Sequence, residues 1–182
     1  MRLGICGGSF DPVHYGHLLL AECCREGANL ERVLFLPAAV SPLKQERAMS
    51  SAKQRTEMLQ LAIGGHEAFE LSTLELDRGG VSYTVETLRQ LTAERPGDEL
   101  FLLLGADSLR DLPQWREPGE ICRLANLVVV RRGGLPPLDY EVLREFVEPA
   151  RRDFFRSLQV TMPLIELSST EIRRRAAAGL SL

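Results

Sequence analysis

Two stretches of this chain bring together side chains suited to holding phosphate. The first is Gly7-Gly8-Ser9-Phe10-Asp11-Pro12-Val13-His14-Tyr15-Gly16-His17, directly after an apolar run at 2–6. Paired glycines after a strand let the backbone turn tightly and come close to a ligand. The helix predicted to follow has unpaired N–H groups and a positive dipole end at its start, a ready anion site. His14 and His17 lie three apart there and share one helix face. Each ring can donate an N–H to a phosphate oxygen. Two of the three histidines in the chain fall in this stretch. Gly16 between them is expected to leave room for a nucleotide against the helix. The second stretch is Leu167-Ser168-Ser169-Thr170-Glu171-Ile172-Arg173. Ser168 and Glu171 have capping-box spacing. The hydroxyls of Ser169 and Thr170 and the first-turn N–H groups could cradle phosphate, and Arg173 could reach the same oxygens with its fork of donors. Arg174 and Arg175 read as solvated helix charges.

Between these lie residues that could bind a second ligand. Gly79-Gly80-Val81-Ser82-Tyr83-Thr84-Val85-Glu86-Thr87-Leu88 begins as a glycine loop and ends on a helix. Thr84 at the helix start could sit where free N–H groups meet a carboxylate, or Ser82 or Thr84 could simply cap. Leu104-Gly105-Ala106-Asp107 closes a continuous apolar run. Asp107 either accepts from a ribose or caps the short helix after it. Trp115, the single tryptophan, either covers core surface or stacks on a flat ligand ring.

These residues need a scaffold that gathers them. Apolar runs at 2–6, 32–36, 100–104 and 127–130 read as strands, with weaker ones at 69–76 and 159–167. Helical patterns occupy 14–28, with Leu18, Leu19, Ala21 and Cys23 on or near its inner face, and 51–63, where Ser51 and Gln54 form a capping box. Further helices are expected at 83–94, 106–112, 118–124, 139–158 with an interruption at Pro149, and 169–178. Strands alternating with helices imply a doubly wound, Rossmann-like parallel α/β sheet, here as one domain over 1–182. Ligands of such sheets bind beyond the carboxyl ends of the strands, where strand order reverses. Both phosphate motifs fall in loops of that kind.

Composition narrows the function classes. The net charge is −3 over 182 residues, without the basic excess typical of nucleic-acid binders. No apolar run approaches the ~20 residues of a membrane span, and the start of the chain has no signal-peptide pattern. Cys6, Cys23, Cys24 and Cys122 show no zinc spacing and read as small buried hydrophobes. A cytoplasmic protein is expected. Oligomeric state is not legible, and 136–160 carries no motif.

The run GGSFDPVHYGHL resembles the opening of bacterial nicotinate mononucleotide adenylyltransferases, members of the nucleotidylyltransferase superfamily with its (H/T)-x-G-H motif. LSSTEIR resembles the I-S-S-T-x-I-R motif of that superfamily, with Leu167 for isoleucine. GGVSYTVETL and the Asp107-to-Trp115 spacing are similar to segments of the nicotinate mononucleotide enzymes. The resemblance covers nearly the whole chain. It implies adenylyl transfer from ATP, with Mg²⁺ bridging ATP oxygens, to nicotinate mononucleotide. It implies that His14, His17 and Arg173 are catalytic. It also implies that Gly8, Ser9, Phe10, Gly105, Asp107, Ser169 and Thr170 help hold ATP, and that no residue is a dedicated metal ligand. Tyr83, Thr84, Asp107 and Trp115 would hold the acceptor, with Trp115 stacked on its ring. Lys44 stands in a loop similar to P-P-H-K, here Ser41-Pro42-Leu43-Lys44, and Arg131 near a V-V-x-R-P-G-like turn; both are implied phosphate contacts. Alternatives are a phosphopantetheine-type adenylyltransferase or a catalytically silent nucleotide-binding module.

Overall fold

The computed structural model describes residues 1–42, 49–134 and 136–181. In chain order the elements are β1 (Arg2–Gly8), α1 (Tyr15–Gly27), β2 (Arg32–Pro37), α2 (Ala52–Ile63), β3 (Phe69–Leu71), α3 (Leu74–Arg78), α4 (Thr84–Glu94), β4 (Glu99–Gly105), α5 (Ala106–Asp111), α6 (Pro118–Leu124), β5 (Asn126–Arg132), α7 (Pro149–Ser157), β6 (Val160–Met162) and α8 (Ser169–Ala177). The strands form one sheet in the order β3-β2-β1-β4-β5-β6. Every pairing is parallel. This is the doubly wound order in which the chain reverses direction between β1 and β4, and the crevice beyond their carboxyl ends is the expected ligand site.

Strand periodicity builds a core on each face. Leu100, Leu102 and Leu104 join Leu3, Ile5, Leu34 and Leu36 beneath α4 to α7, represented by Leu88, Leu109, Ile121 and Phe155. Phe101 and Leu103 point the other way and join Phe35 and Val128 against Ala21 and Cys24 of α1 and Leu59 and Ile63 of α2. Burying each such Leu or Phe stabilises the fold by roughly 1.5–3 kcal/mol. The central strands are covered on both sides, which is why they read as unbroken apolar runs. All four cysteines are free. Burial pushes the Cys6 thiol up to about 12 and the Cys122 thiol up to about 11, so both stay protonated.

Several expectations change. The strand expected over 69–76 ends at Leu71, and Leu74–Arg78 turns into α3. The helix expected over 139–158 is two pieces, a 3-10 turn at Tyr140–Leu143 and α7, because Pro149 starts a helix instead of bending one. The strand expected over 159–167 is only Val160–Met162. The inner face of α1 carries Ala21 and Cys24, with Cys23 half-buried. The capping box of Ser51 and Gln54 forms in both directions. Of the pair at α8, Ser168 caps the Glu171 N–H, while the Glu171 carboxylate binds Arg174.

Candidate active site

The two histidines cap α1. The Nδ1 atom of His14 accepts from the Gly16 N–H at 3.1 Å, and that of His17 accepts from the His14 N–H at 3.2 Å. Together they form a capping box made of imidazoles. The consequence is chemical. With Nδ1 serving as acceptor, each neutral ring must carry its proton on Nε2, so each presents one N–H donor on its far edge. The rings lie 3.9 Å apart and tilted by 35°. Burial, and then the positive charge of Arg132, push the His14 pKa below its usual value. His14 is therefore neutral at neutral pH and acts as a hydrogen-bond donor, without a positive charge of its own.

The glycines serve these rings. A Cβ on Gly16 would lie 2.9 Å from Cε1 of His14. The space that sequence reasoning reserved for a nucleotide is occupied by the His14 ring. A Cβ on Gly8 would press on the Phe10 ring at 3.1 Å. Phe10 is buried in the core, edge-on to His17 at 5.2 Å, and its backbone takes a positive φ of 46°. Only its main chain is left to meet a ligand.

The last helix comes to this same loop. The Ser169 hydroxyl donates to the Pro12 carbonyl at 2.9 Å. Arg173 donates through Nη1 to the Asp11 carbonyl, and through Nη2 to Thr170 Oγ1 at 3.0 Å. The buried face of α2 sends in Arg55, 2% exposed, which donates to the Ser9 carbonyl at 2.8 Å and the Ser50 carbonyl at 3.2 Å. The Ser50 N–H in turn reaches Asp11 Oδ1 at 3.3 Å.

Beyond β1, β2 and β4 lies a cavity of about 350 Å³. Gly8 and Ser9 form one wall, Tyr83, Thr84 and Thr87 of α4 another, and Trp115 and Arg116 a third. No side chain caps α4. Ser82 instead accepts the Ala39 N–H at 2.9 Å, tying the glycine loop to the end of β2. Thr84 thus stands in the first turn of a helix whose end faces the cavity. The Trp115 Nε1 is buried with no partner among the described residues. Arg116 lies over the Tyr83 ring at 4.7 Å and pairs with Glu86 at 2.7 Å. A separate, open depression of about 520 Å³ beside α3 shares no residue with this cavity.

The expected residues divide accordingly. Gly8, Ser9, Tyr83, Thr84 and Trp115 line the cavity. His14, Ser169 and Arg173 gather on the 11–16 segment beside it. Gly105 ends β4 and precedes α5 without a side-chain cap. Asp107 does not cap α5; its carboxylate is exposed and pairs with Arg110 at 3.1 Å, and Ser108 is the neighbour that lines the cavity. Arg131 is half-buried near the end of β5. Lys44 lies outside the described residues.

Sequence reasoning missed four residues. Glu75, buried on α3, accepts from Thr87 Oγ1 at 2.6 Å and lines the cavity. Arg116 lines the cavity, and Arg132 places its charge near His14. Arg55 left one legible sign: it stands four residues before Leu59 and eight before Ile63, on the buried stripe of α2, where a cation has no reason to be unless it has work there.

The cytidylyltransferase-like family model matches residues 5–175. A protein of Rhodopirellula baltica named "Probable nicotinate-nucleotide adenylyltransferase" is 43% identical over 180 residues, covering 99% of this chain and 84% of that protein. One of the same name from Thermomicrobium roseum is 45% identical over 181 residues, covering 100% and 83%. The chain belongs to the cytidylyltransferase-like family, among the nicotinate-nucleotide adenylyltransferases. This nicotinate-nucleotide adenylyltransferase family fold also appears in a solved structure of the Plasmodium falciparum nicotinic acid mononucleotide adenylyltransferase complexed with NaAD. Its TM-score is 0.72 at 18% identity, covering 95% of this chain and 82% of that one. At that identity the likeness speaks to fold alone.

Proposed function

We propose that this chain transfers the adenylyl group of ATP to nicotinate mononucleotide, giving nicotinate adenine dinucleotide and pyrophosphate, a step of NAD biosynthesis. One observation carries the assignment. The starts of α1 and α8 meet on a single loop, through Arg173 on Asp11 and Ser169 on Pro12, beside a cavity lined by Tyr83, Thr84 and Trp115. Two helix starts aimed at one place suit a polyphosphate, and an aromatic-walled cavity suits a flat ring.

In this scheme a phosphate oxygen of the acceptor attacks the α-phosphorus of ATP in line. The bond from that phosphorus to the bridging oxygen breaks, and pyrophosphate leaves. The attacking oxygen is already anionic, so no strong base is needed, and catalysis rests on placement and charge stabilisation. The Nε2 donors of His14 and His17 and the main chain of Gly8, Ser9 and Phe10 take the triphosphate, with Gly105 and Asp107 toward the nucleoside. Arg173 and Thr170 take the leaving phosphates, and the Ser169 hydroxyl must turn from Pro12 to join them. Trp115 stacks on the acceptor ring, and the uncapped start of α4 at Tyr83 and Thr84 receives its carboxylate. Lys44 and Arg131 serve the acceptor phosphate. The described residues hold no cluster of three or more His, Cys, Asp or Glu able to bind a metal. Mg²⁺ supplied with ATP would neutralise part of the phosphate charge. No helix of the described residues is long and apolar enough to cross a membrane. We assign one nucleotidylyltransferase domain over 1–182, working in the cytoplasm where ATP is supplied.

The test is pyrophosphate release from Mg–ATP with three acceptors in parallel: nicotinate mononucleotide, nicotinamide mononucleotide and phosphopantetheine. Turnover is expected with the pyridine mononucleotides and fastest with the acid form. Turnover with phosphopantetheine alone, or ATP binding without turnover, contradicts the assignment.

A further inference from the structure

We propose that Arg55 is a positioning residue that turns the peptide between Ser9 and Phe10 so that the Phe10 N–H faces the nucleotide. The inference rests on the ATP site assigned above. Burying a guanidinium costs several kcal/mol unless the surroundings repay it. Arg55 is 2% exposed, yet forms no ion pair among the described residues. Its partners are two main-chain carbonyls, of Ser9 and Ser50, with the Asp11 carboxylate contributing charge from nearby. Water or a neutral amide could satisfy two carbonyls at lower cost. A cation kept there holds them in a fixed direction with charge-assisted strength.

The direction matters because of peptide geometry. A trans peptide is planar, with its C=O and N–H pointing opposite ways. Asp11–Pro12 is the only cis bond among the described residues, so the Ser9–Phe10 peptide is trans. With the Ser9 oxygen held by Arg55 on the α2 side, the Phe10 N–H must project the other way, away from α2. Ser9 itself lines the cavity. The next residue has φ 46°, a region that costs a side-chain-bearing residue roughly 1–2 kcal/mol. The loop therefore needs a restraint to stay in this shape. Arg173 holds the Asp11 carbonyl on the far side of Phe10. Two arginines thus engage the carbonyls that flank Phe10, and a carbonyl released from this grip could turn its negative end toward a triphosphate.

Two variants test the role. Arg55→Lys keeps the charge and loses the fork that spans two carbonyls. The double variant Arg55→Met with Asp11→Asn removes both buried charges, so neither is left unpaired. For each, KM for ATP, KM for nicotinate mononucleotide, the Kd of a non-hydrolysable ATP analogue and Tm are compared with the unaltered enzyme. Both variants are expected to bind the analogue about tenfold more weakly and to raise KM for ATP to match, roughly the effect of one lost charged hydrogen bond. KM for the mononucleotide should stay within about twofold, with the double variant melting near the parent. Unchanged analogue affinity in a folded variant overturns the positioning role. So does a parallel rise of both KM values that tracks loss of Tm, or failure of both variants to fold, since each marks Arg55 as a stabilising residue only. If the unaltered enzyme binds the analogue but fails to turn over, the functional assignment fails, and the affinity comparison still decides Arg55.

Discussion

His14 performs two tasks with two nitrogens, and the tasks can be separated. Nδ1 caps α1, and Nε2 is the donor assigned to phosphate. Asparagine also caps well, through its amide oxygen. His14→Asn should therefore hold Tm within a few degrees while turnover falls on the order of 10²–10³, the usual effect of losing one preorganised donor. His17→Ala should lower turnover by a similar factor, and near-normal turnover would contradict its role. Gly16→Ala sets two effects against each other. Helix propensity gains about 1 kcal/mol, but the new Cβ meets the His14 ring at 2.9 Å, and a lost cap costs about 0.5–2 kcal/mol. Stability should change little while activity collapses, as steady-state kinetics beside a melting curve would show. Acidity reports on the same ring. Burial and Arg132 depress the His14 pKa in the folded protein, so the unfolded chain binds the proton more readily. The stability tied to neutral His14 is complete above about pH 6.5 and is lost as pH falls from there toward the depressed folded value. Melting curves should show this loss, and His14→Asn should flatten it; identical acid profiles would refute the linkage. The sequence marked both histidines for phosphate but could not reveal them as caps, because imidazole is an unusual cap and the spacing has two uses. Arg55 was harder still, since only its position on an apolar stripe distinguishes it from a solvated charge.

Among the described helices, α8 stands apart because it buries none of its residues. Its ties to the rest include Ser169 on Pro12 and Arg173 on Asp11. Helices with few apolar contacts open at low free energy. Amides of α8 should therefore exchange hydrogen faster than those of α1 or α4, and Mg–ATP should slow them. Protection of α8 that ignores ATP would argue against its assigned part in the site. The loop before α4 depends on a different bond. Ser82→Ala leaves the Ala39 N–H without its acceptor, a loss of about 1–3 kcal/mol. KM for the mononucleotide should rise more than KM for ATP. Elements buried on two faces were legible because runs such as Leu100–Leu104 are unbroken, short and bounded by turn residues. The stretch from Phe69 to Leu76 misled because Phe69, Leu71, Leu74 and Leu76 imitate strand alternation, while Glu75 is turned inward to meet Thr87. The stretch over 139–158 misled because Pro149 suits the first turn of a helix as well as it breaks a helix interior.

At the scale of the whole molecule, architecture was readable from alternation alone, while strand order was not, since it depends on pairings between residues far apart in the chain. A ligand that binds only the folded state stabilises it by mass action. Mg–ATP at a hundred times its Kd should add about 2.7 kcal/mol, raising Tm by several degrees for a chain of this length. Arg173→Ala should remove most of that rise, measured by scanning calorimetry against the Tm of the same variant without ligand. Ser169 meets Pro12 across 157 positions of sequence, and Arg173 meets Asp11 across 162. A ribosome therefore makes the glycine loop well before it makes the two partners that close it. The sheet can take shape during synthesis, but on the roles proposed for Ser169 and Arg173 a chain interrupted before α8 should neither sequester nor consume ATP.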